Sequence, residues 1–163
     1  MSNVLPLKKK EITFEQDIDE ISALFKEDLV SVNTIILDKL DSNVPLVQEV
    51  AKYLILSGGK RLRPLLTVSS FHLINNGGLQ EENSINHIGL AAAVEFIHTA
   101  TLLHDDVIDE SKQRRGKPTA NEKWKNKTSV LVGDFLFSRA FQLMTKYGNS
   151  ATLKILADTS VTI

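Results

Sequence analysis

The run His98-Thr-Ala-Thr-Leu-Leu-His-Asp-Asp-Val-Ile-Asp109 places three acidic side chains at the end of a strongly apolar helical stretch. Asp105 and Asp109 are four residues apart, so their like charges repel on a helix. Negative charge near a helix C-terminus also opposes the helix dipole. A positive group is therefore expected beside these acids. Mg²⁺ is the natural candidate, because it commonly uses one or two carboxylates together with substrate phosphates.

The same helix is predicted to carry a polar stripe on one face. At about 100° per residue, His98 lies about 20° from Asp105, and Asp109 lies about 40° beyond it. Thr101 lies one turn before Asp105. This pattern is typical of a metal site at the mouth of an apolar groove. Spacing alone leaves open a second interpretation, an exposed helix end whose acids are neutralised by the arginines at 114–115.

The bulk composition is that of a soluble globular protein of one domain, residues 1–163, with 42% hydrophobic and 24% charged residues. The net charge is −1, so no overall field favours nucleic acid or an anionic membrane. The chain has no cysteine, which excludes disulfides and thiolate metal sites. No signal peptide, transit peptide or membrane span is expected. A cytoplasmic location fits these features.

Hydrophobic periodicity predicts an all-α chain. Helices are expected over residues 14–40, 45–56, about 64–74, 82–109, 128–147 and 150–163. Residues 112–118 are expected to form a loop, and no segment has the alternating pattern of a strand. Helix 128–147 is apolar on all sides, which predicts burial on both faces and association with a second copy of the chain. The last helix, capped by Ser150, ends apolar at Ile163, as in a domain cut inside a larger fold.

Two basic motifs flank the acid run. In Gly58-Gly-Lys-Arg-Leu-Arg-Pro64, the glycines allow close approach of a ligand, and Lys60 and Arg63 are expected to share a helix face. The alternative is a turn with a solvated basic patch. The second motif, Arg114-Arg-Gly-Lys-Pro-Thr119, is a phosphate-binding loop or a charged surface loop. Together with the acids, both motifs fit diphosphates held partly by Mg²⁺ and partly by basic side chains.

This ordered set of motifs, with Glu95-Phe-Ile-His98 between them, resembles the trans-isoprenyl (polyprenyl) diphosphate synthases from about Lys52 onward. The segment from Ala91 to Met144 is most similar to the bacterial octaprenyl branch. Terpene cyclases share an Asp-Asp-x-x-Asp run but lack the Gly-Gly-Lys-Arg-x-Arg-Pro element. The resemblance implies a helical bundle of the isoprenoid synthase type. It also implies a Mg²⁺-dependent prenyltransferase that condenses isopentenyl diphosphate with a farnesyl-type allylic diphosphate in quinone side-chain biosynthesis.

The resemblance also implies a role for each matching side chain. Asp105 and Asp109 would bind the Mg²⁺ that bridges the allylic diphosphate, while the role of Asp106 is less defined. Arg114 would contact the allylic diphosphate, so it joins Asp105 and Asp109 in the implied catalytic set. Isopentenyl diphosphate would be bound by Lys60, Arg63, His98 and Arg115.

Product length is implied to depend on residues four and five positions before the acid run. These positions hold Thr101 and Ala100, both small, so the resemblance implies a long product, near eight isoprene units. Ordinary helix packing is the alternative explanation of the alanine. The family members are considerably longer and carry a second Asp-rich motif on a later helix. The chain is therefore expected to be the N-terminal half of such a fold, with uncertain activity alone.

Two other classes of function remain open at this stage. The chain could be a non-catalytic helical subunit, or an inactive fragment, that partners another synthase chain. It could also be a plain helical scaffold with charged loops, although that hypothesis treats several ordered motifs as coincidence. DNA that encodes the missing half in frame immediately downstream would separate the synthase from the subunit.

Overall fold

The structure, a computed structural model, describes residues 13–75 and 85–161. Within these ranges seven helices surround a single hydrophobic core, which confirms the all-α prediction. The elements are α1 (Phe14–Leu24), α2 (Lys26–Lys39), α3 (Pro45–Leu56), α4 (Leu62–Asn75), α5 (Asn86–Ile108), β1 (Gln113–Arg114), β2 (Lys117–Pro118), α6 (Ala120–Tyr147) and α7 (Ser150–Ser160). The two short strands pair antiparallel, with Gln113 opposite Pro118 and Arg114 opposite Lys117.

Helices α5 and α6 form the centre of the fold and run antiparallel. Small residues let them approach closely: a Cβ at Gly89 would collide with the ring of Tyr147, and one at Gly133 with the ring of His104. Around this pair the core is filled by aliphatic and small side chains. Fully buried members include Val32, Ile36, Leu40, Val50, Ala51, Phe96, Ala100, Leu103, Val132, Leu136, Ala140 and Leu143.

The predicted long first helix is in fact two helices. Phe25 breaks it, with φ −107° and ψ 27°, and closes α1 while opening α2. Its ring stacks on that of His72, with centroids 4.9 Å apart. The apolar periodicity continues through the break although only α2 has side chains buried in the core, so sequence alone does not reveal the break.

Several predicted boundaries need correction. The expected loop at 112–118 is the β1–β2 hairpin, and α6 begins at Ala120 rather than at Thr128. Helix α6 is interrupted at Lys125, where φ is 73° and ψ is 157°. The cap of α7 is Asn149 rather than Ser150, since its Oδ1 accepts the backbone N–H of Thr152 at 2.9 Å. The predicted start at 82 and end at 163 lie outside the described residues.

Helix α6 is buried on one face only. Val132, Gly133, Leu136 and Ala140 are buried, whereas Val130, Leu131 and Phe141 are between 39% and 56% exposed. The expected burial on both faces is therefore wrong for the chain by itself. In the described ranges, no helix combines the length and apolarity needed to cross a membrane.

Candidate functional site

A cavity of about 540 Å³ opens where the 57–61 loop, the start of α4, the middle of α5 and the hairpin meet. Its wall contains the five side chains for which ligand binding was predicted: Lys60, Arg63, His98, Arg114 and Arg115. Arg61 and Lys117 add two more basic groups, against two carboxylates, Glu95 and Asp106. A chain of net charge −1 therefore gathers a strongly positive patch in one concave place. Such a cavity attracts anions.

The glycine pair fixes the loop on one side of the cavity. Gly58 has φ +86°, a conformation that side-chain-bearing residues seldom adopt. Its carbonyl accepts a hydrogen bond from the guanidinium of Arg115. A Cβ at Gly59 would lie 2.6 Å from Nη1 of the same guanidinium. The two motifs are thus joined directly. Glycine is favoured at both positions by their positive φ values, +86° and +156°, and a Cβ at Gly59 would also have to displace the Arg115 guanidinium.

Arg61 also lines the cavity, and its guanidinium is held by groups of the protein. Its φ is 47°, and its guanidinium bonds Glu95 Oε1 at 2.5 Å and the carbonyl of Ile55 at 2.8 Å. Lys60 precedes α4, so it does not share a helix face with Arg63 as expected. The ammonium of Lys60 bonds Glu15 Oε1 at 2.6 Å, and this contact lowers the pKa of the Glu15 carboxyl.

Arg114 is paired with the middle acid of the run. Its Nη2 lies 2.7 Å from Asp106 Oδ1, and its Nε lies 3.1 Å from Oδ1 and 3.3 Å from Oδ2. Asp106 is 1% exposed, and its own carbonyl accepts from Ser111 N and Asn121 Nδ2. The hydrogen bond to Asp106 raises the pKa of Arg114, with smaller electrostatic contributions from Asp105 and Asp109. The middle acid therefore anchors the end of α5 to the hairpin.

Asp105 and Asp109, the predicted Mg²⁺ ligands, are exposed on the outer side of the α5 terminus. Asp109 is the C-cap residue that follows α5, and its backbone N–H donates to the Asp105 carbonyl at 2.8 Å. Neither side chain lines the cavity, but both act electrostatically on Arg114. Carboxylate oxygens that face solvent beside an anion-binding cavity fit Mg²⁺, which takes hard oxygen ligands and retains waters.

His98 lies on α5 inside the cavity and is partly buried. Burial lowers the pKa of its imidazole, and the positive charges of Arg63, Arg115 and Arg114 lower it further. Glu95 opposes this effect. At neutral pH the imidazole is therefore uncharged, so it can donate and accept one hydrogen bond each.

The two residues predicted to set product length lie on different sides of α5. Ala100 is fully buried in the core. Thr101 is partly exposed and lies on the stripe that leads through Leu90 and Val94 to Asp105. Its hydroxyl donates to the carbonyl of His98 at 2.9 Å. The structure thus leaves Thr101, and not Ala100, at the open surface of the helix.

The ion pairs of the site and one cluster outside it were not predicted from the sequence. The Arg61–Glu95 and Arg114–Asp106 ion pairs arise from contacts across the loop and the hairpin, and the pattern gave no sign of which charges would pair. It also missed a separate cluster of Asp28, His72 and His87, taken up below, because its members come from three distant helices.

Comparison with known proteins supports the resemblance. The Polyprenyl synthetase family model matches residues 44–163. The chain is 44% identical over 142 residues to octaprenyl diphosphate synthase of Escherichia coli, which covers 87% of this chain and 42% of that protein. A decaprenyl diphosphate synthase from Rhodobacter capsulatus superposes with a TM-score of 0.80 at 52% identity, over 88% of this chain and 43% of that one.

A polyprenyl synthase from Caulobacter crescentus, crystallised with calcium and isoprenyl diphosphate, superposes with a TM-score of 0.81 at 48% identity. That match covers 88% of this chain and 42% of the other. The chain therefore spans less than half the length of each of these three relatives.

Proposed function

Because the chain belongs to the polyprenyl synthetase family, we propose that its basic cavity binds diphosphate in a long-chain prenyltransferase, an octaprenyl-type synthase. The proposed reaction condenses isopentenyl diphosphate with a farnesyl-type allylic diphosphate. One observation carries this proposal: six basic side chains converge on one cavity directly beside the exposed acids of α5. Diphosphates are the ligands that need both kinds of group.

Within this proposal the cations divide into two groups. Arg61 and Arg114 are held by Glu95 and Asp106, so their positions are fixed before a ligand arrives. Arg63 and Arg115 have no carboxylate partner among the described residues, and Arg115 bonds only the Gly58 carbonyl there, so their charges remain available to phosphate oxygens. A site that combines fixed and uncommitted cations stabilises charge on the departing diphosphate without large rearrangement.

Asp105 and Asp109 would hold Mg²⁺, which when bound neutralises part of the charge on the allylic diphosphate. Loss of that diphosphate leaves an allylic cation, which the alkene of isopentenyl diphosphate attacks before a proton is lost. Water must be kept away from the cation. The stripe of α5 before Asp105, with the partly exposed Leu90 and Val94, offers an apolar wall for the prenyl chain. Thr101, the last small side chain on this stripe, is the proposed residue that leaves room for a long product.

We further propose that the chain associates with a second copy through α6. Leu131 and Phe141 are about half exposed, and Phe135 and Phe137 are only partly buried. Large apolar side chains on one helix surface are typical of a protein interface. Light scattering of the purified chain tests this proposal, and a monomer at micromolar concentration would contradict it.

Titration of the 163-residue chain with inorganic pyrophosphate tests the proposed site. Arg115→Gln and Arg63→Gln are each expected to weaken binding about tenfold, since each removes a charge-assisted hydrogen bond. Lys154→Gln is the matched control, because Lys154 lies on α7 and pairs with Asp158 outside the cavity. Equal affinity of all three variants would contradict the proposal.

Turnover requires a separate experiment, because the chain spans less than half of its relatives. Prenyl transfer from farnesyl and isopentenyl diphosphates should be negligible for the 163-residue chain. It should appear when the remaining half of a family member is supplied in cis or in trans. Binding without turnover, even with that half present, would favour the second candidate, a non-catalytic partner subunit.

A further inference from the structure

Three potential metal ligands meet on the side of the molecule formed by α2, α4 and α5. Asp28 of α2 lies between His72 of α4 and His87 of α5. The Asp28 Oδ2 atom is 2.6 Å from His72 Nε2 and 3.3 Å from His87 Nε2. In the described part of the chain, no other set of three such side chains brings its ligand atoms within 4.8 Å of one another. None of the three lines the basic cavity.

Two of the three ligand spacings are close to those of a small tetrahedral metal site, and all three ligand atoms lie within 4.8 Å of one another. With Zn–N and Zn–O bonds of about 2.0–2.1 Å, ligand atoms lie about 3.3 Å apart. The Asp28–His87 distance already has this value, and the Asp28–His72 distance needs to open by less than an ångström. Both imidazoles present Nε2 to the same carboxylate oxygen, so one ion between them would contact all three residues.

Aromatic packing holds both imidazole rings in place. Phe25 stacks on His72 with centroids 4.9 Å apart, and Phe71 stacks on His87 at 3.9 Å with an interplanar angle of 2°. The side chain of His87 is 11% exposed, that of Asp28 26% and that of His72 36%. Ligands locked by packing and still open to solvent on one side give a preorganised site with an entry path.

We propose that Asp28, His72 and His87 bind one divalent transition-metal ion, with Zn²⁺ the expected species. Two imidazole nitrogens and one carboxylate oxygen suit Zn²⁺, Ni²⁺ or Cu²⁺ and are a poor set for Mg²⁺, which takes oxygen ligands. Three protein ligands leave one position for water. The ion would join three helices, because His72 and His87 lie 44 and 59 residues after Asp28 in the sequence. It is therefore expected to stabilise the fold rather than take part in prenyl transfer.

The competing explanation is a metal-free polar cluster in which both imidazoles donate to Asp28. Such a cluster also joins the three helices, so loss of stability in a variant does not distinguish the two. Metal binding distinguishes the two explanations. Only a metal site binds added Zn²⁺, and only there does the absorption spectrum of a bound metal ion depend on the three ligands.

The experiment is a titration of the 163-residue chain with Zn²⁺ against a chromophoric chelator, in excess Mg²⁺ to occupy the acids of α5. One equivalent of Zn²⁺ is expected to bind and to raise the melting temperature. Asp28→Asn and His72→Gln should each weaken binding at least about tenfold. His104→Gln is the matched control, because its ring contacts α6 and lies outside the cluster.

Substitution of Co²⁺ for Zn²⁺ gives a second readout. The visible absorption of bound Co²⁺ should show a low-coordinate site in the natural chain, and this absorption should be lost in Asp28→Asn. Because asparagine has the same shape as aspartate, this variant keeps the test usable if the histidine variants do not fold. Absence of Zn²⁺ binding, or binding that Asp28→Asn leaves unchanged, would overturn the proposal. Variants that melt earlier with no Zn²⁺ dependence would assign the cluster to metal-free hydrogen bonding.

Discussion

Replacing Asp106 by Asn tests whether the middle acid of the run is an anchor. Asp106 is 1% exposed, and its carboxylate accepts three contacts from Arg114, the shortest at 2.7 Å. Breaking a fully buried pair costs about 3–5 kcal/mol. Arg114 is 38% exposed, so water compensates part of its charge, and a loss of about 2 kcal/mol is expected, within the range for hydrogen bonds to charged groups.

Urea denaturation followed by circular dichroism measures this loss. In a thermal melt the melting temperature should fall by about 4–8 °C, since 1 kcal/mol corresponds to about 2–4 °C. A double-mutant cycle with Arg114→Gln should give a coupling of at least about 1 kcal/mol, because the two groups contact each other directly. Asp158→Asn is the control, since the exposed Lys154–Asp158 pair on α7 is worth less than about 0.5 kcal/mol. Coupling below about 0.5 kcal/mol would refute the anchoring role.

Three further predictions concern the walls of the site. His98 has a lowered pKa, chiefly from burial and then from Arg63, so the native chain binds fewer protons than the unfolded chain below about pH 6.5. The free energy of unfolding should therefore fall as the pH drops through about 6.5. The urea midpoint should fall less in His98→Gln than in the natural chain over the same drop in pH. Ala100→Phe should cost about 1–3 kcal/mol by overpacking the core, whereas Thr101→Phe should keep the fold and, in a complete synthase, shorten the product seen by chromatography. Gly59→Ala should weaken pyrophosphate binding, because a Cβ there displaces Arg115, and calorimetry that shows unchanged affinity would contradict this.

Local pattern predicted the all-α fold, whereas the ligand-binding residues followed from the family resemblance of the motifs. The acid run and both basic motifs are short segments, and each of the five proposed ligand-binding side chains lies in the cavity wall. The sequence did not predict which acidic and basic side chains form ion pairs in the cavity. Asp106 and Arg114 meet because the hairpin turns back on α5, and this return depends on the register of two two-residue strands.

Long-range geometry explains the other failures. The break at Phe25 leaves the periodicity intact, so it was invisible in sequence. The metal-ligand candidates Asp28, His72 and His87 come together only when three helices pack. The exposed side of α6 was predicted to be buried because its side chains are apolar. An apolar side chain can be covered by its own chain or by a partner, and the sequence does not distinguish the two.

The contact between Lys60 and Glu15 links the first helix to the cavity. No side chain of α1 is buried, and Glu15 reaches from its first turn to a cation of the ligand-binding wall. A diphosphate that recruits Lys60 competes with Glu15 for the same ammonium group. By thermodynamic reciprocity, the docking of α1 and the occupancy of the cavity must then oppose each other. The first helix would act as a weak tethered competitor, released as the site fills, and its amide hydrogens would exchange faster with pyrophosphate bound than without it.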